Sequence, residues 1–222
     1  MEKLTNNIAD KVAAELKLDN DNKEVISYGM FAVIHIALSI ILVIIFGLIF
    51  HVTIEALIVC FAGAILRKYS GGAHANSPGN CAAIGTIICI GLSLFFSAII
   101  GPVITSSVLI LLGMCIFGVS YYFIYKLAPV DSAAKPIKSK EKKARMKKGS
   151  IFVLCIYIVV VIINVAINIF SRDKRFLVYS LCVYGGVVWQ VFTLTKLGHS
   201  TVNKIDSFLN NILRIIKKGE VQ

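Results

Sequence analysis

Three observations predict an all-α integral membrane protein with about six transmembrane helices. Of the 222 residues, 57% are hydrophobic and only 16% charged, whereas soluble domains carry about a quarter charged residues. The apolar residues fall into long runs, near the ~20 residues that a helical span requires. The alternating segments of an outer-membrane barrel are not seen. Residues 1–24 are too charged to contain the apolar core of a cleavable signal, so targeting is expected to come from the first span.

Residues 3–18 place Leu4, Ile8, Val12 and Leu16 four apart with charges elsewhere. That spacing predicts an amphipathic helix, lying on the membrane interface or packed on the loops. It fills the N-terminal segment 1–22, which a run of Asp and Asn closes. Residues 25–50 form the first span, and 52–66 a second that is short and carries Glu55. The third covers 81–100, and Gly101-Pro102 separates it from a fourth over 103–125. Tyr121, Tyr122 and Tyr125 give that fourth span an interfacial aromatic end. Residues 151–170 and 176–194 are the fifth and sixth spans, joined by a short turn. Asn164 and Asn168 share one face of the fifth and are expected to bond to a neighbouring helix. The tail, 200–222, sets Ile205, Leu209, Ile212 and Ile216 against Lys204, Arg214, Lys217 and Lys218, a second amphipathic segment. With no internal repeat, 1–222 reads as a single polytopic membrane domain.

The net charge is +11, and residues 126–150 alone hold nine Lys/Arg against Asp131 and Glu141. Basic bias puts this loop in the cytoplasm and suits it to anionic lipid. Six alternating spans then bring the 67–80 loop and both termini to the same side. Arg172, Lys174 and Arg175 fall on the other side and run against the rule. A folded basic face with aromatic platforms is missing, so nucleic acid is not an expected partner. The six cysteines have neither framework spacing nor a CxxC pair, which argues against disulfide and zinc scaffolds. No metal or other cofactor is expected.

One polar interruption stands out in the apolar first half: RKYSGGAHANSPGNC, from Arg67 to Cys81. Ser77-Pro78 predicts a helix start, with Ser as N-cap and Pro at the first helical position. Cys81 then falls in the first turn, where free N–H groups and the helix dipole stabilise negative charge. His74 is the base within reach along the chain. Gly71 and Gly72 let the backbone approach a substrate and offer N–H groups to an oxyanion. Arg67 supplies a fixed charge that holds a peptide carboxylate or orients the loop. These are the parts of a nucleophilic cysteine site, although an ordinary turn uses Gly-Gly and Ser-Pro-Gly as well. Ser70, Asn76 and Asp131 are the candidates for a third group orienting His74.

Arg67, Gly71-Gly72, His74 and Cys81 at these spacings resemble the signature of the accessory gene regulator B (AgrB) family. Ala128-Pro129-Val130-Asp131 and Lys135-Pro136-Ile137, followed by lysines, are similar to that family's central loop. The resemblance implies a bacterial cell-membrane endopeptidase that processes quorum-sensing propeptides, with His74 and Cys81 as the catalytic pair. Arg67, Gly71, Gly72 and Lys135 become supporting or substrate-binding positions. It implies an AgrD-type substrate with an amphipathic leader, a central cysteine or serine and an acidic tail. Cys81 would take the peptide as a thioester, and the peptide's own thiol or hydroxyl would close the ring. The expected partners are that propeptide and anionic lipid, with a homodimer neither required nor excluded. Two other readings stay open: a non-enzymatic peptide exporter or scaffold with a structural 67–81 loop, and a metal-dependent membrane hydrolase.

Overall fold

The computed structural model describes residues 7, 10, 15, 19–73, 75, 77–130 and 139–219. They form α1 (Asn20–Ile49), α2 (Thr53–Ser70), α3 (Pro78–Leu94), α4 (Ser106–Leu127), α5 (Lys140–Ser171), α6 (Arg175–Phe192) and α7 (Lys196–Gly219). A π-helical segment, Phe95–Ile100, continues α3, and Gly101 N closes it on Phe96 O at 2.7 Å. Of the amphipathic stretch 3–18 only Asn7, Asp10 and Glu15 are described, all helical and exposed, and the Asp/Asn run at 19–22 expected to close it instead opens α1 at Asn20. The rest of that expectation lies outside the described residues.

Among the described residues, five helical stretches are long and apolar enough to cross a membrane: Lys23–Ile49, Pro78–Ile100, Ser106–Leu127, Lys140–Ser171 and Arg175–Phe192. The second expected span is not among them, because α2 carries Glu55 in its first turn and Arg67 and Lys68 in its last. Its course is nevertheless that of a crossing helix. Near its start, Ala56 and Val59 pack in one buried cluster with Val178 and Cys182 in the first half of α6. At its end, Ser70 and Gly71 meet Gln190 in the last turn of α6. The two helices therefore run parallel between the same two ends of the bundle. The 18 residues of α2 rise about 27 Å, close to the ~30 Å hydrocarbon core.

α6 is the axis of the bundle, packed against α2, α3, α4 and α5. Its seam with α2 depends on small residues. A Cβ on Gly186 would stand 2.7 Å from Val59 O and from Ala62 Cβ, so only glycine lets the backbones come this close. Buried hydroxyls on this core find carbonyls: Tyr157 Oη donates to Ala62 O at 2.8 Å and Tyr184 Oη to Leu109 O at 3.2 Å. Asn168 behaves as its helix face predicts, accepting from Ser106 Oγ of α4 at 3.0 Å. Elsewhere the outer faces stay apolar and exposed, as lipid-facing surfaces are.

The polar stretch expected as a loop over 126–150 is helical from Lys140 onward, as the opening turns of α5. Ser139 caps it by accepting from Lys142 N at 3.4 Å. Lys, Arg, Glu and Ala are strong helix formers, and the stretch has packing partners too. Lys147 Nζ sits 4.1 Å from the Tyr125 ring centroid, and Gly149 lies directly against the Tyr69 ring. The connection shrinks to 128–139, of which 131–138 are outside the described residues.

Candidate active site

The end of α2 is decided by two glycines. Gly71 has φ 68 and Gly72 φ 133, left-handed backbone that a residue with a Cβ rarely adopts. The chain then enters a crowded corner. Val130 N donates to Ser70 O at 2.9 Å, forming an isolated parallel bridge between Gly71 and Val130. Gln190, 1% exposed, donates from Nε2 to Gly71 O at 2.6 Å and to Ser70 Oγ at 3.0 Å. Ala73 N donates to Thr193 O at 3.0 Å, and a guanidinium N–H of Arg67 donates to Ala73 O. A Cβ on Gly72 would lie 2.6 Å from Thr193 Oγ1. Both glycines are thus fixed by conformation and by close packing on the last turn of α6.

The cysteine arrives on the other side of this corner. Ser77 is the N-cap of α3, accepting from Asn80 N at 3.1 Å, and Pro78 opens the helix. Cys81 N donates to Ser77 O at 3.0 Å, placing the thiol in the first turn, half-buried and free of any disulfide. Arg67 lies within electrostatic range of Cys81. Its Nε is buried with no hydrogen-bond partner among the described residues. Of the two uses that the sequence allows Arg67, the bond to Ala73 O is loop orientation. The buried Nε leaves further donor capacity at this corner.

The structure brings Arg67, Gly71, Gly72 and Cys81 to one end of the bundle. His74 and Lys135 lie outside the described residues, as do Asn76 and Asp131. Ser70, a candidate third group, donates to Leu66 O at 2.9 Å and accepts from Gln190, which commits its hydroxyl to holding the loop. Three residues of this corner escaped the sequence reading. Gln190 and Thr193 sit at the end of an apolar run, where polar residues read as an ordinary span terminus. Asp206 lies in the tail, wholly buried, and accepts from Asn80 Nδ2 at 2.7 Å. Its only sequence signal is an acid at the fourth position after buried Val202, and its partner is 126 positions away.

A bundle of membrane-crossing helices, with a capped cysteine and a pinned glycine loop at one end, defines a polytopic membrane protein with a candidate thiol site. The profile of the family described as Accessory gene regulator B matches residues 5–194. The chain belongs to that family, and with it to the accessory gene regulator quorum-sensing system. Two proteins of Clostridium perfringens are similar along nearly all of it. They are provisionally named AgrB-like protein 2 (strain 13 / Type A) and AgrB-like protein (strain SM101 / Type A). Each is 40% identical over 213 residues, 96% of this chain and 100% of the relative. No solved structure matches the chain.

Proposed function

We propose that this protein is a membrane-embedded cysteine endopeptidase that trims and cyclises an AgrD-type propeptide. The observation that carries the reading is the placement of Cys81. The chain's one cysteine beside the polar loop stands in the first turn of a capped helix, within electrostatic range of Arg67 and at the end of the bundle that holds Gly71-Gly72. The other five cysteines lie along apolar spans.

In this mechanism His74 takes the Cys81 thiol proton, and the sulfur attacks the carbonyl carbon at the end of the future signal peptide. The negative charge on the carbonyl oxygen falls to donors at this corner: the Arg67 guanidinium and the one first-turn N–H of α3 that Ser77 leaves uncapped, that of Gly79. His74 returns the proton to the departing amine, the C–N bond breaks and the acidic tail leaves. A thioester to Cys81 remains. The propeptide's own thiol or hydroxyl gives its proton to His74 and attacks the thioester carbonyl. A ring C–S or C–O bond forms as the bond to Cys81 breaks, and His74 reprotonates Cys81. Water would divert the thioester to a linear acid, so enclosure of the corner favours cyclisation.

The test is coexpression with a propeptide substrate in cells lacking the wild-type protein. Cys81→Ala is expected to abolish cleavage while membrane insertion is unchanged. Cys81→Ser is expected to trap or slow the acyl intermediate, because an alkoxide is harder to form than a thiolate. Normal processing by Cys81→Ala would end this reading.

A further inference from the structure

The C-terminal helix α7 is amphipathic, and the tail was expected to use its apolar stripe. Part of that stripe does face the bundle: Ile205 and Leu209 are half-buried, and they share their side of the helix with two buried residues. Val202 and Asp206, four apart, are buried, while Leu197 and Phe208 are strongly exposed. Asp206 is 0% exposed and Asn80 5%. Asn80 Nδ2 donates to Asp206 Oδ1 at 2.7 Å and to Asn210 Oδ1 at 2.9 Å. Asn80 immediately precedes Cys81, and its backbone N–H is the one that Ser77 Oγ caps. Burying a carboxylate is expensive unless hydrogen bonds or a cation compensate it. A helix that needed only an interfacial anchor would keep Asp206 on its wet side. The α7 side of this joint lies beyond residue 194, where the match to the family profile ends.

We propose that Asp206 is a positioning residue of the catalytic centre. Through Asn80 it clamps the first turn of α3 onto α7 and so fixes the direction in which Cys81 Sγ meets the scissile carbonyl. This rests on the cysteine-peptidase reading above. The carboxylate holds both sides of the joint: Oδ1 fixes the Asn80 amide, and Asn80 fixes the turn through Ser77. Loosening it displaces the nucleophile without removing it, and a misplacement of ~1 Å is worth up to about a hundredfold in rate. The consequence belongs in kcat. The propeptide's other contacts, which set KM, are untouched.

The experiment uses the full-length protein reconstituted in anionic liposomes with a synthetic propeptide. Asp206→Ala is expected to lower kcat by about tenfold to a hundredfold with KM within about twofold. The rate at which Cys81 is alkylated by a small thiol reagent should change as well. The exchanged pair Asn80→Asp with Asp206→Asn swaps acceptor and donor across the same joint. It is expected to recover most of the kcat that each single substitution loses, a rescue that a generally destabilised bundle would not show. Lys204→Gln, on the exposed side of α7, should match the wild type. Two results overturn the proposal: Asp206→Ala with kcat within twofold of wild type, or an exchanged pair no better than its single substitutions. Failure of the peptidase reading looks different, since the wild type would then not cleave at all. In that event the alkylation rates of the same variants still decide whether Asp206 positions Cys81.

Discussion

Gly72 occupies backbone at φ 133 with Thr193 Oγ1 where a β-carbon would go, whereas Gly79, two residues before Cys81, has nothing within 4 Å. The pair separates the role of this corner from the general frailty of a glycine-rich loop. Gly72→Ala must strain the backbone and push Thr193 away, on the order of 1–3 kcal/mol. It is expected to cut propeptide turnover about tenfold or more while the protein still inserts. Gly79→Ala puts a better helix former into the first turn of α3, worth roughly 0.5–1 kcal/mol. Turnover should stay within twofold, and thermal unfolding in detergent should not fall. A Gly72→Ala protein of full activity would show that the loop's geometry does not matter to the reaction.

Two elements make separate predictions. Along the α2–α6 seam, Gly186→Ala would press a methyl onto Val59 O and Ala62 Cβ at 2.7 Å. Overpacking of this kind costs about 1–3 kcal/mol, so the variant should unfold at lower denaturant in mixed micelles, with activity lost in proportion to folding. The opening turns of α5 concern the substrate. Lys140, Lys142 and Arg145 are exposed on a helix that begins beside the same corner as Tyr69. If they meet the acidic tail of the propeptide, each screened contact contributes about 0.2–1 kcal/mol. Replacing all three by Gln should then raise KM by roughly threefold to a hundredfold with kcat nearly unchanged. Added salt should shift the wild type the same way. An unaltered KM and salt-insensitive processing would leave these charges as a topology signal only.

For the whole molecule, the bridge from Gly71 to Val130 and the bond from Asn80 to Asp206 gather three connections at one end of the bundle. The turns at 101–105 and 172–174 meet at the other, where Lys174 Nζ donates to Pro102 O at 2.8 Å. The basic opening of α5 stands at the first end and should hold it in the cytoplasm. A membrane-impermeant thiol reagent is therefore expected to miss Cys81 in intact cells and to modify it in inverted vesicles, as read by peptide mass. Labelling of Cys81 from outside would reverse this orientation and remove access to a cytoplasmic propeptide.

By itself the sequence determined the helical membrane class, the break at Gly101-Pro102, the short turn that holds Arg172 and Lys174, the Ser77-Pro78 helix start and the thiol in its first turn. Those features are local: run length, cap chemistry and backbone freedom act within a few residues and are written in consecutive letters. Local rules also misled where tertiary contacts outweigh them. Charge alone made 140–148 a loop, yet good helix formers packed on Tyr125 and Tyr69 continue α5 into it. The span expected at 52–66 is α2: Glu55, Arg67 and Lys68 set it apart from the other crossing helices, yet it packs along α6 between the same ends of the bundle. Only the tertiary structure could decide that Gln190 and Thr193 hold the glycine loop and that Asp206 turns inward to Asn80. Each of those hydrogen bonds joins residues more than a hundred positions apart, and no periodicity along the chain encodes which polar group will find which partner once the helices pack.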